Sequence, residues 1–451
     1  MPQDTAPSIE PLERLDDLVR RALAAGADAA DAVMFESASL SVAQRLGASE
    51  GIERAESQDI GLRVFRGRRQ AVVSSTDVSA DALASLIERA MAMASAVPED
   101  PFCGLADRDL LAADVPDLDL ADDAEPTPES LVAQAAAAED AARAVAGVTN
   151  SEGAEAGWSR ARIALVTSDG FSGGYGVTQF SVGASVIVGA GTAMERDHDH
   201  ASARFAADLA DPAAIGRSAG ERAVARLGPR KAPSGAVPVV YDPRVSRGLL
   251  GHLASAIGGP AITRGTSFLK DRMGEAVFAD GVTVTDDARR PRGLRSKPFD
   301  GEGVATAARD IIDGGVLTSW LLDARSARQL GLASTGHAAR GTSTPPSPQS
   351  TNLYLAAGTL SPDDLIADID QGFYVTELMG FGVNAVTGDY SRGAAGFWIE
   401  NGRRTHPVSE VTVAGNLAEM FRHLTPADDL VFRYGVDAPT VRIDGMTVAG
   451  T

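Results

Sequence analysis

The sequence predicts an α+β protein, with an N-terminal region of mixed sheets and helices followed by a mostly antiparallel, β-rich C-terminal domain. Three observations support this class. Segments of helical spacing alternate with segments of period two, a Pro-, Gly- and Lys-containing stretch at 228–238 is typical of a domain junction, and the last third is rich in glycine and short strands. The 451 residues suffice for two or three domains. We therefore predict domains at 1–100, 101–232 and 233–451.

The first half alternates between helical and extended patterns. Leucines recur on one face of the first helical segment, which Gly26 ends. An Asp-rich, Pro-punctuated stretch at 98–126 predicts a linker. The remaining elements are assigned from the spacing of apolar residues. The predicted helices are 8–25, 80–97 and 128–145, and the predicted strands lie within 34–46 and 51–75.

Strands and one further helix follow from Arg160 onwards. The alternating segments RIALVTSDGFSGG and FSVGASVIVGAG predict two strands with a turn at Asp169-Gly170. Asp211 is the expected N-cap of a helix that ends near Leu227, with Pro212 at its first position. In the C-terminal third, Asn401-Gly402 predicts a hairpin turn within 396–408, and Pro407 places the second strand at a sheet edge or strand end.

Composition excludes several classes of partner. The net charge of −20 argues against nucleic acid and against anionic membrane surfaces, because both require a basic protein surface. No run of about 18 apolar residues is present, and MPQDTAPSIEPLERLDD lacks the apolar core of a signal peptide. Cys103 is the only cysteine, so no internal disulfide or thiolate metal cluster can form. We expect a reduced, cytoplasmic setting.

Two segments that contain histidine are candidates for a metal-binding site. His252 lies in GLLGHLASAIGGPAITRGTSFL (248–269), an apolar helical stretch without a second histidine or a carboxylate, so we expect a packed or hydrogen-bonded side chain. His198 and His200 lie in MERDHDH, where a strand would place them opposite Asp197 and Asp199. The polar flanks there favour an exposed strand end or turn, with weak metal binding as the alternative.

Two serines lie in short sequence patterns that match catalytic motifs. GFSGG around Ser172 fits the nucleophile-elbow pattern, but the residues after it alternate like a strand and not like the helix that this motif requires. Ser267 and Lys270 fit S-x-x-K, without the companion elements of that chemistry. An independent serine or metal hydrolase therefore stays a rival hypothesis.

The segment VTGDYSRGAAGFWIENG (386–402) combines several glycines with aromatic and polar side chains. Such glycines permit close backbone approach, either to a neighbouring strand or to a bound extended chain. We predict a substrate or partner surface here, and the alternative is a tight β turn with packed aromatics. The proposed surface residues are Asp389, Tyr390, Ser391, Gly393, Phe397 and Trp398.

Three long segments, 248–269, 309–338 and 378–417, together resemble the TldD/PmbA family, and most closely its PmbA branch, also called TldE. The resemblance extends from about Ala29 onwards. It implies a cytoplasmic metallopeptidase of two related subunits that degrades or matures peptides. One subunit, TldD, carries an H-E-x-x-x-H helix and the metal, and the PmbA subunit pairs with it.

We align that helix with this sequence by matching the segment RGTSFL (264–269). Its two histidines then correspond to Leu250 and Ser255, and its glutamate corresponds to Gly251. None of these residues binds metal or activates water. The resemblance therefore implies a subunit that is not catalytic by itself and holds no cofactor, with a divalent metal, zinc, on a TldD-like partner. Unfolded peptide is the implied substrate. Self-pairing in isolation and a homodimeric scaffold are the remaining alternatives.

Overall fold

In the computed structural model, which describes residues 9–450, the first half of the chain forms one six-stranded antiparallel sheet. Its strand order is β3-β2-β1-β4-β5-β6, so strands from both sides of residue 100 share the sheet. The predicted domain division after residue 100 stays a prediction. The strands are β1 Ala29–Arg45, β2 Ala48–Arg66, β3 Arg69–Ser75, β4 Val148–Thr167, β5 Ser172–Val188 and β6 Glu195–Ala203.

Four helices cover one face of this sheet. The even-numbered residues of β1, such as Met34 and Val42, point to that face and pack in its core, because side chains alternate along a strand. The other face carries small and polar side chains over much of its area, among them Ser41 and Ser181. The helices are α1 Ile9–Ala24, α2 Ala80–Ala96, α3 Pro128–Arg143 and α4 Pro212–Ala225.

The C-terminal half contains a second six-stranded sheet, of order β16-β15-β14-β7-β19-β17. Its strands β16 and β19 also pair, between Thr412–Ala414 and Thr447–Ala449, so five of the strands close into a ring. Only the β14–β7 pair is parallel in this sheet. The strands are β7 Gly235–Tyr241, β14 Gln371–Met379, β15 Asp389–Glu400, β16 Arg403–Asn416, β17 Leu424–Pro426 and β19 Val441–Ala449.

Shorter strands and helices complete this half. A five-stranded sheet has the order β10-β9-β8-β13-β18, and β11 pairs with β12. These strands are β8 Val284–Asp287, β9 Ala308–Asp313, β10 Val316–Leu317, β11 Ala338–Ala339, β12 Ser347–Pro348, β13 Leu353–Leu355 and β18 Val436–Asp437. The helices are α5 Pro243–Ala256, α6 Gly259–Thr263, α7 Ala324–Leu330, α8 Pro362–Ile366 and α9 Leu417–Arg422.

The α+β class and most of the predicted elements are confirmed. Asp211 caps α4 by accepting a hydrogen bond from the Ala214 N–H, and Asn401 and Gly402 turn the β15–β16 hairpin with φ of 49° and 72°. The predicted linker contains no α-helix and no extended strand, and its one short helical element is a 3₁₀ turn at Arg108–Leu110. Ser8, the predicted first residue of α1, lies outside the described residues, as do residues 1–7 of the segment read for a signal peptide.

Buried charges join the first sheet to the C-terminal half. Asp31 accepts a 2.8 Å hydrogen bond from the Arg63 Nε and pairs with Arg340, and all three side chains are almost fully buried. Burial raises the pKa of Asp31, but the two guanidinium groups outweigh it and hold that pKa below its ordinary value. Glu302 lies 3.6 Å from Arg63, and burial raises its pKa to about 7.

No helix within residues 9–450 is both long enough and apolar enough to cross a membrane.

Candidate functional site at helix α5

Helix α5 has a well-defined N-terminal cap and one buried face. Asp242 caps it, since its side chain accepts a 3.0 Å hydrogen bond from the Arg244 N–H, and Pro243 occupies the first position. The helix therefore begins at Pro243, five residues before the apolar stretch 248–269 named in the sequence analysis. Its buried face consists of Ser246, Leu249, Leu250, Leu253 and Ala256. Because that stripe packs into the core of the C-terminal half, the opposite face of the helix is left to line a cleft.

The outward face of α5 lines a cleft of about 570 Å³, which we call the arginine cleft. Four arginines converge on it from α5, β15 and the loop after β8. No aspartate or glutamate lines it, although the whole chain has 61 acidic and 41 basic residues. The lining residues are Arg244, Val245, Arg247, Gly248, Gly251, Ala254, Ser255, Arg295, Leu321, Pro348, Gln349, Ser350, Leu378, Arg392 and Val436.

Three of the four arginines have no carboxylate partner among residues 9–450. Arg247 lies 4.1 Å above the Tyr434 ring and donates from its Nε to the Arg244 carbonyl oxygen at 3.2 Å. Arg392 donates from its Nε to the Met379 carbonyl oxygen at 3.2 Å. Arg295 is exposed. The cleft therefore presents positive charge that the described part of the chain does not neutralise.

His252 does not face a metal site. Its ring lies 5.9 Å from the ring of Tyr390 in an edge-on arrangement. Burial, and then the charge of Arg392, lower the pKa of His252 below its ordinary value, so the imidazole is neutral at neutral pH. The predicted packing of this histidine is confirmed, and its packing partner is an aromatic ring that the sequence analysis had assigned to a surface.

A second cleft, of about 580 Å³, lies along β6, and we call it the strand cleft. The segment 194–200 contains the first end of a strand and not a turn, because β6 runs for nine residues from Glu195 and pairs with β5 throughout. The predicted alternation is confirmed: Asp197 and Asp199 are buried, whereas His198 is exposed and His200 half-buried, with the two imidazole rings stacked 6.2 Å apart. Burial, and then the charge of His198, lower the pKa of His200.

The aspartates of the strand cleft are matched with arginines. Asp197 accepts a 2.7 Å hydrogen bond from Arg244 and lies 3.5 Å from Arg226. Burial raises the pKa of Asp197, but the hydrogen bond and charge of Arg244 outweigh it and keep the pKa low. Asp199 lies 3.4 Å from Arg433 and 3.9 Å from Arg222. These carboxylates are occupied by ion pairs that join β6 to α4 and α5.

The remaining nucleophile candidates lack catalytic surroundings. Ser172 begins β5 after the predicted turn, so the strand reading of this segment is confirmed. Ser267 is buried and its Oγ accepts a 3.0 Å hydrogen bond from the Leu269 N–H, while Lys270 is exposed on the turn that follows. Burial, and then the charge of Asp100, raise the pKa of the Cys103 thiol, which disfavours the thiolate.

The residues predicted as a surface on 386–402 divide into two groups. Tyr390 and Trp398 are each 2% exposed and belong to the core of the C-terminal half, so the prediction of a surface was wrong for these two residues. Asp389 and Ser391 are exposed, and Gly393 and Phe397 are half-buried. The two buried aromatic residues occupy even-numbered positions of β15 and the four accessible residues occupy odd-numbered positions, as alternation along a strand allows. The role of the accessible residues as a surface stays a prediction. The same segment contributes Arg392 to the arginine cleft, a residue that the sequence analysis did not select.

Family models match three successive parts of the chain. They describe PmbA/TldA metallopeptidase domain 1 at residues 30–94, the central domain at 121–227 and the C-terminal domain at 234–450. The chain belongs to the TldD/PmbA family. Among its relatives within the family are Metalloprotease PmbA of Escherichia coli O157:H7, 39% identical over 95% of this chain and 94% of that protein, and the PmbA homologue of Haemophilus influenzae, 36% identical over 96% and 94%.

Solved structures of TldD/PmbA relatives share the fold. A proposed modulator of DNA gyrase from Bacteroides thetaiotaomicron has a TM-score of 0.90 and 28% identity, covering 98% of this chain and 100% of the other. TldE from Thermococcus kodakarensis has a TM-score of 0.86 over 97% and 100% of the two chains, and its 20% identity supports the fold alone. The names of the sequence relatives support a peptidase-like role in the PmbA/TldE family.

The metal that the TldD/PmbA family name implies does not fit the residues of α5. Leu250 is 2% exposed in the core, and Gly251 and Ser255 offer no imidazole or carboxylate. The Ser255 Oγ donates a 2.9 Å hydrogen bond to the Gly251 carbonyl oxygen of its own helix. Nowhere in the described range of 9–450 do three or more His, Cys, Asp or Glu side chains gather as metal ligands would.

Proposed function

We propose that this chain is a PmbA/TldE-type subunit of a TldD/TldE metallopeptidase that degrades or matures peptides, and that it is not catalytic by itself. One observation carries the proposal. The helix that resembles the family's metal helix is present as α5, but the positions of its ligands and general base hold Leu250, Ser255 and Gly251. The divalent metal, zinc, then belongs to a cytoplasmic TldD-like partner.

In this proposal the chain contributes enclosure and peptide binding. A closed chamber excludes folded proteins, and an extended peptide can add as a strand to an exposed sheet edge. The accessible residues of the β15 segment, Asp389, Ser391, Gly393 and Phe397, are proposed to face the chamber or the partner. Self-pairing of the chain in the absence of the partner is the alternative assembly.

The test compares the chain alone with the chain mixed with a TldD-like subunit. Bound metal is measured by elemental analysis, complex formation by size-exclusion chromatography with light scattering, and activity by cleavage of an unstructured peptide. We expect the lone chain to hold no stoichiometric metal and to cleave nothing, and the mixture to form a complex that cleaves. Stoichiometric metal together with cleavage by the lone chain would overturn the proposal, as would a mixture that forms no complex.

A serine-directed fluorophosphonate probe separates the proposal from an independent serine hydrolase. We expect no labelling of the chain. Labelling that disappears in Ser172→Ala or Ser267→Ala would support the rival function.

A further inference from the structure

We infer that the arginine cleft is a binding site for the carboxylates of an acidic, extended peptide. The inference rests on the proposed function, since it assumes that the chain meets unfolded peptide, and it adds the chemical class of that peptide. Arg247, Arg295 and Arg392 are the proposed contacts, with the outward face of α5 as the floor.

Unmatched charge is the first argument. Guanidinium groups pair readily with carboxylates, as Arg244 on the same helix does with Asp197 at 2.7 Å. Arg247, Arg295 and Arg392 line one cleft without a carboxylate partner among residues 9–450, and no acidic residue lines that cleft. A negatively charged ligand would supply the missing partners.

The shape of the α5 face is the second argument. Gly248 and Gly251 occur one turn apart in the interior of the helix, where glycine costs about 1 kcal/mol of stability relative to alanine. A Cβ atom built at either position meets no other heavy atom within 4 Å, so packing inside the chain does not require glycine at these positions. The absence of side chains there opens the helix surface to close approach by another backbone.

An unpaired strand edge is the third argument. Strand β14 pairs with β15 along its whole length, but β7 pairs only with Phe373–Val375 on the other side. Within residues 9–450, no strand pairs with that other edge along 376–379, and Leu378 from this segment lines the arginine cleft. The cleft therefore offers the apolar side chain of Leu378 beside its charges, and Leu378 belongs to a segment with an unpaired strand edge, which suits an extended peptide.

Nucleic acid fits this cleft less well than peptide does. Single-stranded nucleic acid binds through stacking of its bases on aromatic side chains, and no Phe, Tyr or Trp lines the cleft. Beyond the cleft, the chain's net charge of −20 repels a long polyanion. A short acidic peptide segment requires only the local positive charge.

The test measures binding of three fluorescein-labelled probes to the full-length chain by fluorescence anisotropy. The first is a Gly-Ser peptide of 12 residues carrying four glutamates, the second has glutamine at the same four positions, and the third is single-stranded oligo(dT). We expect the glutamate peptide to bind at least about tenfold more tightly than the glutamine peptide. The difference should shrink as salt rises, because salt screens exposed charges.

Charge reversal and a steric block test the location. Arg247→Glu combined with Arg392→Glu should weaken binding of the glutamate peptide by at least about tenfold. Gly251→Leu, at a position where an added Cβ meets no heavy atom within 4 Å, should weaken the binding of both peptides. Arg217→Glu is the matched control, because Arg217 is an exposed arginine on α4 outside both clefts, and it should change binding less than about twofold. Circular dichroism and thermal unfolding establish that each variant is folded.

Three outcomes would overturn the inference: equal affinity for the glutamate and glutamine peptides, unchanged binding in the folded double variant, or tighter binding of oligo(dT) than of the glutamate peptide. A parallel assay with the TldD-like subunit distinguishes failure of the charge inference from failure of the proposed function. Cleavage of both peptides without preference overturns only the charge inference. Tight, arginine-dependent binding by the chain without complex formation or cleavage in the mixture overturns only the proposed function.

Discussion

The strand cleft and the arginine cleft share one residue, Arg244, and differ in what their charges meet. In the strand cleft, Asp197 and Asp199 are buried and each lies near two arginines. In the arginine cleft, three arginines at the surface meet no carboxylate among residues 9–450. Matched, buried charges fix the packing of the first sheet against α5. Unmatched, accessible charges are available to a ligand. Similar residue types therefore serve structure in one cleft and binding in the other.

The largest effect should come from breaking the matched set. Asp197→Asn leaves Arg226 and Arg244 without their shared carboxylate in a site where the Asp197 side chain is only 4% exposed. We expect the free energy of unfolding to fall by about 3 kcal/mol, measured by urea denaturation. His198→Ala, on the exposed side of the same strand, is the control and should change it by less than about 0.5 kcal/mol. Equal effects of the two substitutions would mean that the ion pairs of Asp197 stabilise the fold no more than an exposed side chain of β6 does.

The same ion pair should make stability depend on pH in a defined direction. The pKa of Asp197 in the folded chain lies below its ordinary value of 3.8, so the carboxylate stabilises the fold at pH values above 3.8. That contribution is lost as pH falls from there through the lowered pKa. The stability difference between wild type and Asp197→Asn should be constant from pH 5 to pH 7 and should shrink below about pH 4. A difference that grows on acidification would contradict this assignment.

A smaller effect, of opposite sign, is expected on the floor of the arginine cleft. Gly251→Ala should raise the free energy of unfolding by up to about 1 kcal/mol, because alanine favours the helix and no atom obstructs its Cβ. Gly216→Ala in α4 is the matched comparison, since a Cβ there would overlap the Ala138 carbonyl oxygen of α3 and should destabilise the fold. Thermal unfolding of both variants distinguishes a glycine kept for binding from one kept for packing.

The smallest effect should follow from removing an unmatched charge. Arg247→Ala loses its contact with the Tyr434 ring but leaves no carboxylate unpaired, so we expect a loss of at most about 1 kcal/mol by urea denaturation. A loss comparable with that of Asp197→Asn would mean that Arg247 is part of the structural network and would weaken the binding inference.

Sequence patterns predicted the local elements well and the surfaces poorly. The helix cap at Asp211, the turn at Asn401-Gly402 and the opposed faces of MERDHDH all follow from interactions within a few residues. Tyr390 and Trp398 were misassigned, because alternation shows that β15 has two faces and not which face meets the core. Arg247, Arg295 and Arg392 were not selected, since arginines in an acidic chain carry no local signal of being unpaired.

The sequence alone was sufficient to predict the α+β class, the positions of most helices and strands, the resemblance to the TldD/PmbA family and the lack of metal-binding side chains at Leu250, Gly251 and Ser255. Backbone propensity, capping and side-chain chemistry are properties of short segments, so they can be read without the fold. The fold was needed to show that one sheet joins strands from both sides of residue 100, and which arginines and aspartates form ion pairs. Asp197 and Arg244 are 47 positions apart in the sequence, and the fold brings them into an ion pair. Burial and pairing depend on segments brought together from distant parts of the chain.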